Sequence, residues 1–410
     1  MTGPLPGTGR AFVSYRRARA DDVAVLAGAL HDRGVPTWVD TTNLRAEPTN
    51  DELRRVLRDP ATSGAVLYVT PEVKGSATIL SVEAPEILRR RKADPAFWVA
   101  PVAAGGLDYA GAAALLTGKI GSDDLARWNV ARVPSDPLSA DDASALARTC
   151  LERRLQTVHG ALPPGAPLTL RLHARGTPAF DPADVLQADW TRHFPDRTAT
   201  VDGWATMARA AADLAAAVRA HCPGRDVVAM GTPGMPAAVL LGSAFPTRDA
   251  SRLSWLQRQP DGTTTPPWSL QAAPGPGPAE AAGWTASAED HDASATACAV
   301  LVDVANDTSA AFAASRTDLP PIRTVVTVSG PATPASLDRE QAAGLAWLIV
   351  RAIRAARAER GPYASVHLFL AAPAGLAVIV GSALATLPEI VTYEYDTAAG
   401  RYRAAARIQP

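Results

Sequence analysis

Residues 11–40 constrain the fold of this chain more than any other stretch. A short apolar run, Ala11-Phe12-Val13, is stopped by the polar cluster Ser14-Tyr15-Arg16-Arg17. Val23, Leu26, Ala27 and Leu30 then recur at i, i+3, i+4 and i+7, the period of one helical face. Gly34 ends that helix, and Val35 to Val39 reads as a second strand closed by Asp40. Strand, helix and strand within about thirty residues make a βαβ unit. Its crossover is right-handed, and its ligands collect beyond the C-terminal ends of the strands.

The alternation continues. A helix is expected from Asp51 to Arg58, a buried strand from Ala65 to Val69, and a helical segment from Ser76 to Arg91. A strand from Phe97 to Val102 and a helix from Asp141 to Leu155 follow. This order predicts a parallel sheet covered on both faces. Gly160 to Pro167 (GALPPGAP) reads as a linker.

At 410 residues the chain has room for two or three domains. A formal net charge of −1 argues against a binder of long nucleic acid, so any anionic ligand must be met by local arginines and backbone N–H groups. Three cysteines, Cys150, Cys222 and Cys298, lie far apart, and the seven histidines are scattered; no disulfide framework and no metal site are expected. With no apolar run of membrane-spanning length and no leader pattern before Phe12, the expectation is a soluble cytoplasmic protein without a membrane partner.

The remainder hides a duplication. Val227 to Phe245 (VVAMGTPGMPAAVLLGSAF) and Val366 to Leu384 (VHLFLAAPAGLAVIVGSAL) align without a gap at a spacing of 139 residues. Each is an apolar strand, a turn of small residues and an apolar helix ending in Gly-Ser-Ala. An Ala-rich amphipathic helix precedes each (Trp204 to His221; Trp347 to Arg360), and a strand-like piece follows (Leu253 to Leu256; Ile390 to Tyr395). Leu168 to His173 and Ala299 to Val304 are the candidate first strands of the two copies. Between the copies, Gln271 to Ala297 is poor in core-forming residues and reads as a flexible connection.

The pattern F-x-S-Y-R-R followed by R-G-V-x-x-W-x-D resembles the start of a TIR domain. His367-Leu-Phe-Leu-Ala-Ala-Pro373, the following Gly375-Leu-Ala-Val and the C-terminal Tyr393-Glu-Tyr-Asp396 resemble the SAVED domain. These resemblances imply an α/β chain: a flavodoxin-like TIR domain over residues 1–157, then a SAVED domain over 158–410. The SAVED domain would be two fused CARF-like Rossmannoid halves, at about 166–270 and 298–410. TIR before SAVED is an arrangement of effectors in CBASS antiphage systems. It implies an NAD glycohydrolase activated by a cyclic oligonucleotide, in family terms cyclic tri-AMP, and acting as a ligand-induced head-to-tail oligomer or filament. NAD is then a substrate, and no cofactor is expected. The competing expectation is a non-catalytic TIR adaptor that assembles on ligand and recruits a partner.

Cleaving nicotinamide from NAD passes through an oxocarbenium-like transition state. The leaving group is already a cationic pyridinium, so one carboxylate near the ribose suffices. The TIR resemblance puts it on a helix after the third strand, a few residues beyond a serine. In Ser76-Ala-Thr-Ile-Leu-Ser-Val-Glu83-Ala-Pro-Glu86-Ile-Leu, Glu83 matches a V-E-x-P form and is favoured. Glu86 matches the E-I form of animal TIR enzymes and remains the alternative. Ser14, Tyr15 and Arg16 lie at the first strand end, where substrate is expected. Trp38 is a candidate base-stacking ring, although a tryptophan on the second strand is more often core. Leu44 anchors the loop Asp40 to Glu47, which matches the TIR BB loop except that Ala46-Glu47 stands where the family has glycine.

For the cyclic nucleotide, the turns Gly231-Thr232-Pro-Gly234-Met235 and Ala371-Ala372-Pro373-Ala374-Gly375 each follow a strand and open a helix. Small residues there let backbone N–H groups approach phosphate. Arg401, Arg403 and Arg407 share one face if the C-terminus is a strand; a solvated edge is the commoner role for such a row, and Arg403 is the candidate phosphate contact.

Overall fold

Strands, most of them buried, alternate with helices over much of the described chain and assemble into three sheets. The computed structural model describes residues 5–40, 49–120, 130–249, 251–258, 266–331 and 336–410. The chain divides into two compact units: residues 1–171, 179–189 and 216–223, and residues 172–178, 190–215 and 224–410.

The first unit contains β1 (Arg10–Ser14), α1 (Ala20–Asp32), β2 (Thr37–Trp38), α2 (Thr49–Arg58) and β3 (Thr62–Val69). It continues with α3 (Ala84–Ala93), β4 (Trp98–Ala103), α4 (Tyr109–Ile120), β5 (Ala131–Arg132) and α5 (Ala140–Ala161). Its sheet runs β2-β1-β3-β4-β5 with parallel pairings, the flavodoxin-like order. Every residue of β3 is buried, as a strand covered on both faces requires. Gly64 on that strand is needed because a Cβ there would sit 2.3 Å from the Trp98 ring. Arg154 of α5 is fully buried and donates to the carbonyls of Val185 and Gly9, each at 2.7 Å, and to Ser63 at 3.0 Å. Burial, with no carboxylate partner among the described residues, pushes its pKa down to about 9.

Two further sheets carry the duplication. The first copy supplies β6 (Leu168–His173), β7 (Leu186–Asp189), α6 (Val201–His221), β8 (Val227–Thr232), α7 (Met235–Ala244) and β9 (Leu253–Trp255). Next come α8 (Gly277–Ala281) and β10 (Thr285–Asp290). The second copy supplies β11 (Ala297–Asp303), α9 (Ser309–Ser315), β12 (Ile322–Ser329), α10 (Arg339–Arg360), β13 (Ser365–Ala371), α11 (Ala374–Ala383), β14 (Glu389–Asp396) and β15 (Arg401–Ile408). The sheets run β7-β6-β8-β9 and β10-β12-β11-β13-β14-β15, so both copies share one strand order. In the second, β10 and β15 are antiparallel strands at the two edges. α7 and α11 begin and end at positions related by the 139-residue echo (Met235 and Ala374; Ala244 and Ala383).

The segment expected to be a flexible connection is ordered instead. β10 pairs with β12 from Thr285 opposite Ser329 to Asp290 opposite Thr324. Nearly all its side chains are exposed, so backbone pairing holds it and no apolar pattern announces it.

α7 and α11 cross with their backbones in contact. A Cβ on Gly242 would lie 2.0 Å from the Val378 carbonyl oxygen, and one on Gly381 would lie 2.2 Å from that of Val239. The contact is reciprocal, as an approximate twofold relation demands. Ser382 adds a hydrogen bond to the Gly242 carbonyl at 3.1 Å. Gly381→Ala is therefore expected to destabilise by about 1–3 kcal/mol through overpacking. Gly160→Ala, in a helix where nothing lies within 4 Å, is neutral or slightly stabilising. Denaturant midpoints of the two variants against the parent check this.

Candidate functional site

In an order such as β2-β1-β3, the connections from β1 and β3 diverge and leave a crevice beyond the strand ends. Ser14 closes β1 there and donates to Glu83 Oε2 at 2.5 Å, both side chains being buried. Glu83 ends a π-helical turn, Ile79–Glu83, that runs into α3. Such an insertion re-aims one side chain and recurs at functional sites. The Ser76 hydroxyl accepts from Ile79 N–H at 3.3 Å where the turn begins.

Glu83 is only 7% exposed. Burial pushes its pKa up to about 7; the Ser14 hydrogen bond opposes this and the nearby Asp40 carboxylate adds to it. Asp40 Oδ1 is buried with no hydrogen-bond partner among the described residues, and Arg17 approaches its other oxygen at 3.9 Å. Glu86, one turn on, is tied to Arg58 at 2.6 Å and Arg89 at 2.5 Å. Those hydrogen bonds pull its pKa down to about 2. Glu83 is thus a carboxyl near neutrality with no cationic partner among the described residues, and Glu86 is the hub of an ion-pair cluster.

Of the other residues expected here, Tyr15 is buried and Arg16 exposed. Trp38 stacks on Phe12 at 5.1 Å in the core. Leu44 and the rest of its loop to Glu47 lie outside the described residues.

The duplicated region builds two adjoining cavities. One, of about 600 Å3, lies beyond the ends of β11 and β13. Ala305, Asn306, Asp307, Ala371 and Ala372 form its floor, Tyr395 and Tyr402 one wall, and Met235 reaches it from the first copy. The other, of about 710 Å3, lies beyond the end of β6 and is strongly polar: Arg175, Arg197 and Arg403 face Asp196, Glu394 and Asp396. Tyr395 of the β14–β15 hairpin walls both. Both volumes fall in the range of small-molecule sites, roughly 300–1,000 Å3. Arg197 holds a left-handed φ of 65°, a strained backbone of the kind that clusters at binding sites.

Equivalent loops meet equivalent strands in the two copies. Ala174 and Arg175 donate their N–H groups to the Thr232 carbonyl, as Val304 and Ala305 do to that of Ala371. The backbones repeat while the side chains differ, arginine in one copy and alanine in the other.

The expected cyclic-nucleotide residues fall into two groups. Met235 and Ala372 share the first cavity, and Arg403 lines the second, bonded to Asp396 at 2.5 Å. Gly234 caps α7, and a Cβ there would lie 3.2 Å from Glu394 Oε1 and 3.5 Å from Arg175 Nε. Thr232 donates to the Arg175 carbonyl at 2.7 Å, and Gly231 lies against Leu172, so both support the Arg175 loop. Pro373 caps α11 and Ala374 opens it, but the Gly375 amide is taken by Gln257 at 3.2 Å beneath Trp255 and Trp268. The two small-residue turns therefore do not present themselves alike. Arg175, Arg197, Asn306, Glu394 and Tyr395 were not anticipated; extending each candidate first strand by two residues reaches Arg175 and Asn306, and Glu394 and Tyr395 lie inside Tyr393-Glu-Tyr-Asp396.

Among the described residues, no three His, Cys, Asp or Glu side chains are grouped to share a metal ion. No described helix is long and apolar enough to cross a membrane.

Paired Rossmann-like halves with strand-end cavities define a small-ligand-binding module. Residues 209–408 match the family model described as SAVED, "SMODS-associated and fused to various effectors sensor domain", and the chain carries a SAVED domain there. The fold resembles the Acinetobacter baumannii Cap4 SAVED/CARF-domain containing receptor with the cyclic trinucleotide 3'3'3'-cAAA, at 14% identity and a TM-score of 0.51, over 90% of this chain and 86% of that one. The same receptor with 2'3'3'-cAAA gives 15% identity and 0.49 over the same shares. The Moraxella osloensis Cap4 receptor gives 15% and 0.43, over 89% and 86%. No curated protein matches the chain.

Burying Glu83 has a thermodynamic signature. Its folded pKa, about 7, exceeds the ordinary 4.5, so the native state binds the extra proton between those values and stability falls as pH rises through that window. Glu83→Gln is expected to match the parent near pH 4 and to exceed it by roughly 3 kcal/mol above pH 8. Chemical denaturation at both pH values measures the difference.

Proposed function

We propose that the chain is a cyclic-oligonucleotide-activated NAD glycohydrolase, its N-terminal unit a TIR domain and its C-terminal unit the sensor. The observation that carries the enzymatic half is the buried Ser14–Glu83 pair in the strand-end crevice of a flavodoxin-order sheet. The sensor half is supported by the SAVED match and by the fold likeness to a receptor solved with 3'3'3'-cAAA.

In the proposed reaction the bond between ribose C1' and the nicotinamide nitrogen breaks, its electron pair leaves with neutral nicotinamide, and positive charge spreads over C1' and the ring oxygen. Ionised Glu83 steadies that charge in a low-dielectric crevice. Water then adds at C1' and loses a proton, giving ADP-ribose. The cationic pyridinium of bound NAD favours the ionised carboxylate, offsetting the burial that raises the pKa of the empty site. Ser14, by donating to Glu83, holds its orientation.

At the sensor, a cyclic oligoadenylate fits the chemistry of both cavities. Tyr395 offers a ring for base stacking beside the alanine floor, and Arg175, Arg197 and Arg403 offer charge-assisted bonds to phosphate. On this reading ligand-driven head-to-tail association of subunits completes the NAD site, because the ligand must favour the active state over the silent one.

Glu83→Gln is expected to lower nicotinamide release at least about 100-fold while cyclic trinucleotide binding persists. In the parent, kcat/KM rises between pH 6 and 8 with an apparent pKa near 7. Chromatographic assay of nicotinamide with both proteins checks this; full activity in Glu83→Gln with loss in Glu86→Gln moves the role to Glu86. Full activity in both removes the single-carboxylate mechanism. Ligand-induced assembly without NAD consumption in the parent marks an adaptor instead.

A further inference from the structure

The polar cavity is electrically balanced: three arginines face three carboxylates. A pocket of zero formal charge is a poor anion trap, and two of its arginines already hold carboxylates. Arg175 is bonded to Glu394, and Arg403 to Asp396. Arg197 has no carboxylate partner among the described residues.

The two carboxylates differ in how firmly they are held. Asp396 also accepts the N–H groups of Ala398 at 2.9 Å and Ala399 at 3.1 Å, which fix it in the hairpin turn. Glu394 has Arg175 as its one polar partner among the described residues. Arg175 stays in place without Glu394: it donates to the Arg197 carbonyl at 2.5 Å and its guanidinium covers the Phe194 ring at 4.8 Å. Removing Glu394 therefore leaves a preorganised cation, whereas removing Asp396 unravels a turn.

We infer that Glu394 is a displaceable counter-ion that occupies Arg175 in the empty sensor and sets the ligand concentration needed for binding. Phosphate takes the Arg175 fork only by exchanging with the carboxylate, so part of its interaction energy goes to that exchange. The inference rests on reading this cavity as the phosphate site of the cyclic oligonucleotide.

Glu394→Gln keeps the shape and an acceptor for Arg175 but removes the competing charge. Calorimetry of the full chain with 3'3'3'-cAAA is expected to show about tenfold or more tighter binding than the parent. That gain disappears in the double variant with Arg175→Met. Inorganic pyrophosphate provides a second probe: by thermal shift, it stabilises Glu394→Gln more than the parent. If 3'3'3'-cAAA binds neither protein while pyrophosphate distinguishes them, the cyclic-nucleotide reading fails and the counter-ion role stands. If 3'3'3'-cAAA binds the parent but neither probe distinguishes the variant, or the variant binds more weakly, the counter-ion role is wrong and the reading stands.

Discussion

Backbone contact between α7 and α11 at Gly242 and Gly381 fixes the geometry of the duplicated region, because no side chain separates the helices there. Contact of this kind cannot be re-made at another angle by changing rotamers. The helix starts are fixed along with the crossing. Gly234 and Met235 are brought to the β14–β15 hairpin, and Gly375 to Trp255 of the other copy. Each strand-end crevice is therefore finished by residues of the opposite copy. A carboxylate from the second copy meets Arg175, and a methionine from the first meets the alanine floor.

Repetition fixes the backbone, and divergence of a few side chains then decides the chemistry. Arg175 and Ala305 follow equivalent strands and make the same backbone bonds, yet one brings a guanidinium to its cavity and the other only a methyl group. The N-terminal sheet has the same second-first-third-fourth order and uses its crevice in a third way, to hold a buried carboxyl. A buried carboxyl with no cation among the described residues lowers stability at neutral pH, a cost typical of groups kept for function. Glu86, only three residues away and satisfied by two arginines, carries no such cost.

The alternation of strands and helices and the duplication were legible because apolar segments survive in an alanine-rich chain, whereas the flavodoxin-like order was implied by the family resemblance. Ser14 and Glu83 were legible as separate motifs, and the fold brings them to hydrogen-bonding distance. Trp38 was legible as core from its place on the second strand, and the structure adds the partner, Phe12, on which it stacks. The exposed edge strand β10 left no apolar trace. Arg175 and Glu394, 219 residues apart, form a pair that no local pattern encodes. The likeness of the two turns was visible, but Gln257 and two tryptophans covering one of them were not.

The proposed coupling of sensing to catalysis is tested most directly by nicotinamide release from NAD, measured on the purified full chain with and without a panel of cyclic di- and trinucleotides. Release that is negligible alone and rises by orders of magnitude with a cyclic trinucleotide is the predicted result. Equal release in its presence and absence, or none under any ligand that binds, contradicts the coupling.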